Sequence, residues 1–248
     1  MKLIDCHTHL HDFKETELPE VILRANRAKV AAIITAGTTI ESSKKAIKIS
    51  KSYDHVFPGV GIHPNELKES FSEESVTQIL ELASLDEVVM ISEIGLDFME
   101  NSPDRGIQYT AFRRQIGIAR ELSLPIVFHC RRAYQETMRV LKEERAFEVG
   151  GAMHYFQSGN KIASELESMG FKISVGKPLL RKEKLEDVIN NTNKGKKIVE
   201  ILFNHLSKKA NKYISKEVLS MSTKERAIAD FIAGMTDRYA INLYKKFK

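Results

Sequence analysis

The sequence predicts an α/β protein: a parallel (β/α) barrel one strand short of closure, followed by an all-helical C-terminal tail. Three observations point there. Short apolar runs recur seven times within residues 1–180, with amphipathic stretches between them. The runs are rich in Val and Ile, and several end in Gly, Pro or a polar cluster, as buried strands do. After Pro178 the texture changes: no further proline occurs, and only Gly195 and Gly234 interrupt the chain.

The seven runs are LIDCHTH (3–9), VAAIITAG (30–37), VFPGVGI (56–62), VVMISEIG (88–95), PIVFHC (125–130), GGAMHYF (150–156) and FKISVG (171–176). Between them lie helical patterns such as AFRRQIGIARELSL (111–124) and ASELESMG (163–170), the second stopped by Gly170. Repeated strand–helix units make a parallel sheet with crossover helices. Seven units in so few residues fit a TIM-type barrel better than an open sheet, and the length of 248 residues suits one such barrel of roughly 250. In the tail, helices are expected over about 196–209 and 223–247. The second is opened by a capping-box pattern at Ser222–Glu225 and carries one apolar face through Ile228, Phe231, Ile232, Met235, Tyr239 and Leu243.

Composition narrows the class. An apolar fraction of 42% and a charged fraction of 29% belong to a soluble globular chain. No apolar run reaches about 18 residues, so no membrane span is expected, and the N-terminus lacks a signal-type apolar core. A cytoplasmic protein with two reduced thiols, Cys6 and Cys130, is the expectation. The net charge of +5 is uneven. Residues 191–248 hold 13 Lys/Arg against 5 Asp/Glu, a net of +8, which leaves the preceding residues at −3. A basic segment of this kind is either a solvated lysine-rich surface or a face for nucleic acid.

Chemistry concentrates at the ends of the strands. His7 and His9 stand two apart on the first run, so both imidazoles point to one side and can share a cation. Asp5 is expected to partner a ring N–H or the backbone, and His11 and Asp12 to lie at the surface. Glu93 sits inside the fourth apolar run, where a carboxylate is costly unless paired or bound to a cation. Asp97 follows in the expected loop at the barrel mouth, as a partner to the ligands or to substrate. His129 and His154 close the fifth and sixth runs. All therefore emerge at one rim, where active sites of such barrels lie. Nitrogen and carboxylate donors suit zinc, manganese, nickel or similar divalent ions.

The motifs DCHTHL, GIHP, EIGLD, PIVFHCR and MHYF-x-SG occur in the order and spacing of the TatD family, which residues 1–190 resemble. The resemblance implies a barrel with one or two divalent ions (zinc, manganese, nickel or magnesium) that hydrolyses phosphodiesters in nucleic acid, DNA before RNA. It implies His7, His9 and Glu93 as ligands of one ion, and Glu93, His129 and His154 as ligands of the other, with Glu93 catalytic as their bridge. It places His63 and Arg131 along the substrate cleft.

The resemblance stops near residue 190. The family continues through a helix, here RKEKLEDVIN (181–190), into an eighth strand of the type LLLETDSP, whose Asp binds metal and is placed to activate water. No such strand or Asp follows in this chain. Instead, residues 191–248 resemble the C-terminal helices of dGTP triphosphohydrolase-like dNTPases, without the metal motif of that family. The expectation is a barrel domain over 1–190 joined to a tail of different origin over 191–248. The gap left by strand eight is filled either by IVEILF (198–203), recruited as a strand that brings Asn204 or His205 to the mouth, or by other cover. The rival functions are an amidohydrolase or phosphotriesterase-type barrel and a non-catalytic module that binds nucleic acid or a partner; dNTP hydrolysis ranks last.

Overall fold

The computed structural model describes residues 3–68, 70–175, 193–220, 223–233, 243, 246 and 247. One parallel sheet runs in chain order through β1 (Leu3–Thr8), β2 (Val30–Ala36), β3 (Val56–Val60), β4 (Met90–Asp97), β5 (Ile126–Arg131), β6 (Gly151–Met153) and β7 (Lys172–Ile173). A strand lies in each of the seven expected runs. The crossovers carry α1 (Leu18–Arg27), α2 (Ile40–Ser50), α3 (Glu73–Ala83), α4 (Arg105–Glu121), α5 (Tyr134–Glu143) and α6 (Asn160–Ser168). Sequential parallel order with a helix in every crossover is the arrangement of a (β/α) barrel, here with seven strands among the described residues.

Alternation along the strands sorts core from site. Phe128 and Cys130 of β5 face the helices. Phe128 packs on Phe112 of α4, with ring centroids 6.4 Å apart, and Cys130 Sγ accepts a hydrogen bond from Thr137 of α5. Burial pushes the Cys130 thiol up to about 12. His129, between them, points the other way, toward the barrel interior. At one end of the sheet Leu10, in the turn after β1, joins Ile33 of β2 and Val56 of β3 to Leu18 and Ile22 of α1 and Ile49 of α2. β4 is buried along its whole length. Gly95 lets it approach β5, because a Cβ there would fall 2.0 Å from the His129 carbonyl oxygen, and its φ of 135° suits glycine alone.

The end of β4 is pinned from outside. Asp104 caps α4 by accepting from the Ile107 N–H, and one turn later Gln108 is fully buried. Its amide accepts from the Asp97 N–H and donates to the Asp97 carbonyl, both at 2.8 Å. Asp97 is thus the last residue of β4, and not part of the expected loop. The reason is this side chain, which satisfies backbone groups that a strand end would otherwise leave to water.

Two compact units are distinguished: residues 1–154 with 165–174, and residues 155–164 with 175–248. The second contains α7 (Asn193–Lys209), a 3₁₀ turn (Ala210–Lys212), α8 (Lys216–Ser220) and α9 (Lys224–Ala233). IVEILF lies inside α7, so its recruitment as an eighth strand is not observed. Leu202, Leu206 and Ala210 recur every four residues and are all buried, which is the period of a helical face. Leu206, Ala210, Ile214, Ala227 and Ile228 form the small core of this unit. The expected helix at 181–190, the cap residue Ser222 and positions 234–242 lie outside the described residues. No helix among the described residues is long and apolar enough to cross a membrane.

Candidate metal centre

Glu93 sits at the middle of the site, 4% exposed, on an inward-facing position of β4. His7 Nε2 lies 3.2 Å from its Oε2, His9 Nε2 3.9 Å from the same oxygen, and His129 Nδ1 3.5 Å from Oε1. His154, just past β6, lays its ring against His7, with centroids 4.0 Å apart, and its Nδ1 lies 3.4 Å from Ser174 Oγ. Four strands thus deliver the five side chains to one rim, where His7, His9 and His129 face Glu93 directly and His154 joins them through its contact with His7. Burial raises the cost of charge on Glu93, but the surrounding imidazoles of His129, His7 and His154 outweigh it and hold the carboxyl well below the usual range. His154 is lowered to about 4, first by burial and then by the neighbouring histidines.

The partners of each ring fix which nitrogen is free. His9 lies one residue beyond the end of β1. Its Nδ1 is 2.9 Å from the Ala36 carbonyl oxygen, which can only accept, so Nδ1 carries the proton and Nε2 keeps a lone pair. The Thr35 hydroxyl accepts from the Leu10 N–H and holds the following turn against β2. His129 Nε2 donates to Asp97 Oδ2 at 2.9 Å, leaving the Nδ1 lone pair toward Glu93. Asp97 is fully buried; it also accepts from the Asn65 amide on Oδ2 and from the Met99 N–H and Ser102 hydroxyl on Oδ1. Burial works against its charge, but these four hydrogen bonds prevail and lower its pKa.

His63 is a different case. A ligand atom of His63 lies within 4.8 Å of those of Glu93 and His129, in a three-residue group parallel to His7, His9 and Glu93. Its ring approaches His129, with centroids 4.5 Å apart. However, its Nδ1 accepts from the Asn65 N–H, so the neutral ring carries its proton on Nε2 and offers a donor there, not a lone pair. Burial first, then His129, lowers its pKa to about 4, which keeps it neutral near pH 7.

Other expected residues land differently. Asp5 Oδ1 accepts from the His7 N–H at 3.3 Å, a backbone contact. His11 is not at the surface as expected: its side chain is 6% exposed and its ring lies 5.5 Å from that of His9, because the 3₁₀ turn after β1 folds it inward. Asp12 is exposed. Arg131 ends β5 with an exposed side chain and makes no ion pair among the described residues. Two contributors escaped sequence reasoning. Asn65 orients both His63 and Asp97, and the GIHPN run was its only signal. His11 was signalled by the continuation of the His-x-His spacing.

Comparisons with known proteins place the chain. The family model described as TatD related DNase matches residues 4–201, and one described as phosphohydrolase-associated domain matches residues 179–246. A metal-dependent hydrolase of Bacillus subtilis, YabD, is 35% identical over 201 residues, covering 80% of this chain and 78% of the relative. The 3′-5′ ssDNA/RNA exonuclease TatD of Salmonella typhimurium is 33% identical over 156 residues, covering 63% of this chain and 60% of that protein. The crystal structure of the TatD homologue YjjV from Escherichia coli superposes with a TM-score of 0.68 at 29% identity, covering 75% of this chain and 73% of that one. With four-fifths of its length matched by the family model and by a relative 35% identical to it, the chain belongs to the TatD family of metal-dependent hydrolases.

Proposed function

We propose that the barrel holds one divalent cation among His7, His9 and Glu93 and a second among Glu93, His129 and His154, and that it hydrolyses phosphodiester bonds of single-stranded nucleic acid, DNA before RNA. The observation that carries this reading is the buried Glu93 carboxylate, faced by nitrogens of three histidines at 3.2–3.9 Å. Two donors of one tetrahedral ion, each about 2.1 Å from it, stand about 3.4 Å apart, so the spacing fits a shared cation. The lone pairs of His9 and His129 face carboxylate oxygens, an arrangement that repels unless a proton or cation lies between. His7 Nδ1 is buried without a partner, so one of the rings that lines the site is not yet satisfied by protein alone. Nitrogen with carboxylate donors suits zinc, manganese or nickel better than magnesium.

When bound, such ions polarise phosphate oxygens and acidify water. The remaining work falls to the chain. The Ala36 carbonyl and Asp97 hold His9 and His129 in the orientations that present their lone pairs. His63 donates Nε2–H to a non-bridging phosphate oxygen, and Asn65 keeps it in the donating tautomer. Arg131, exposed at the end of β5, meets the phosphate charge at the rim. The family's strand-eight Asp has no counterpart in the sequence, so turnover is slow, about 10²–10⁴-fold below relatives that keep it. The tail from about residue 191 is a unit of separate origin; the charge switches there, inside the stretch 179–201 where the TatD and phosphohydrolase-associated matches overlap. The protein acts in the cytoplasm.

The test is elemental analysis of protein purified without chelator, followed by hydrolysis of end-labelled single-stranded DNA. Stoichiometric divalent metal and slow, metal-restored cleavage are expected. A metal-free protein that gains no cleavage on adding zinc, manganese, nickel or magnesium would falsify the proposal. Cleavage of lactones or simple carboxylic esters in place of DNA would shift the reading to an amidohydrolase-type substrate.

A further inference from the structure

Outside the barrel, the strongest concentration of chemistry is cationic. Lys208 and Lys209 end α7, Lys212 lies in the 3₁₀ turn, and Lys224 opens α9. Together with Ala210 and Asn211 they line one open cleft of about 290 Å³. All four lysines are exposed, none forms an ion pair among the described residues, and no carboxylate lines the cleft. Helix ends account for only part of this. Lys208 and Lys209 stand at the carbonyl end of α7, where a cation is favoured, but Lys224 stands at the amide end of α9, where the dipole opposes it. The packing of Leu206, Ala210 and Ile214 against Ala227 and Ile228 brings that unfavourable cation beside the other three. The field is felt nearby: His205 is lowered, first by desolvation and then by Lys209, Lys208 and Lys212.

We propose that Lys208, Lys209, Lys212 and Lys224 form a phosphate-backbone contact for single-stranded nucleic acid, separate from the barrel's metal centre. Lys212 Nζ stands 6.0 Å from the centre of the Tyr213 ring, but the cleft lining itself has no aromatic side chain and no buried polar group to read a base, so recognition is of the backbone and independent of sequence. The choice of nucleic acid among polyanions rests on the phosphodiester reading above. The site itself rests on the four lysines.

The test is binding of a labelled single-stranded oligonucleotide to the full chain in chelator, where cleavage cannot intervene, by fluorescence anisotropy across a salt series. The variant K208Q/K209Q/K212Q/K224Q is expected to bind at least about tenfold more weakly at about 50 mM salt. Its plot of log K against log salt should be shallower by about 3, since each contact to a single strand contributes about 0.7. A methylphosphonate oligonucleotide offered to the unaltered protein should lose the same component, which keeps the test valid if the variant folds poorly. Equal affinity and equal slope for variant and parent would overturn the proposal. So would lysine-dependent binding of inorganic tripolyphosphate as tight as that of the oligonucleotide, which would make the cleft a small-anion site. Lysine-dependent DNA binding by a chain that never cleaves would sink the hydrolase reading and leave this one standing.

Discussion

The two compact units treat charge in opposite ways. The barrel unit buries it: Glu93 and Asp97 are enclosed, and each carboxylate oxygen meets a ring nitrogen, an amide or a hydroxyl. The tail unit spreads it: four lysines share a cleft in water, without a counter-ion among the described residues. Buried charge must be satisfied locally, so the barrel's groups are held in fixed geometry and suit a small ion. Exposed charge is screened and mobile, so the tail's lysines suit a long, flexible polyanion. Position costs more to assemble and specifies more.

That contrast can be broken most severely at Glu93. Glu93→Gln keeps the shape but removes the charge that the imidazoles surround. Metal content should fall below stoichiometric and hydrolysis by about a thousandfold or more, the loss of several kcal/mol of electrostatic stabilisation. Full metal retention would show that the carboxylate is an ordinary buried ion-pair member. Asp97→Asn is the next test. It leaves His129 in place with a weaker acceptor, and metal affinity, read by competition with a chromogenic chelator, should drop about 10–100-fold. An unchanged affinity would mean that Asp97 serves only the end of β4.

His63→Ala separates donor from ligand. Loss of one hydrogen bond to a charged phosphate, about 1.5–3 kcal/mol, should slow hydrolysis about 10–100-fold while metal content stays the same. A matching loss of metal would move His63 into the ligand set with Glu93 and His129. The smallest effect concerns the thiols. Cys6 is exposed and Cys130 buried with its pKa pushed up to about 12. Below that value Cys130 stays protonated, so a thiol reagent near pH 8 should modify Cys6 and leave Cys130 until the chain unfolds. Two thiols reacting at equal rates in the native protein would show that β5 and α5 open readily.

The barrel strands were legible because strands covered on both faces read as near-continuous apolar runs, and the runs at 30–37 and 125–130 hold almost nothing else. The site was legible for the converse reason: His7, Glu93, His129 and His154 are polar residues set in or just after such runs, and burial makes those residue types expensive without a purpose. Less could be read where two periods fit one segment. IVEILF satisfies strand and helix alike, and the burial of Leu202, Leu206 and Ala210 on one face decided for α7. The end of β4 was misjudged because the Gln108 that extends it lies eleven residues away, on another element.

The chain order of polar residues within apolar runs was enough to name the five side chains proposed to hold metal and the rim they share. Which nitrogen of each ring is free was not: that depends on Ala36, Asn65 and Asp97, groups brought from other strands and loops, and a hydrogen bond's direction follows from what stands opposite it in space. The basic excess of the tail was likewise countable from composition, but its convergence into one cleft was not. Lys224 lines the same cleft as Lys212 because apolar side chains on α7 and α9 pack together, and that packing belongs to the folded unit alone.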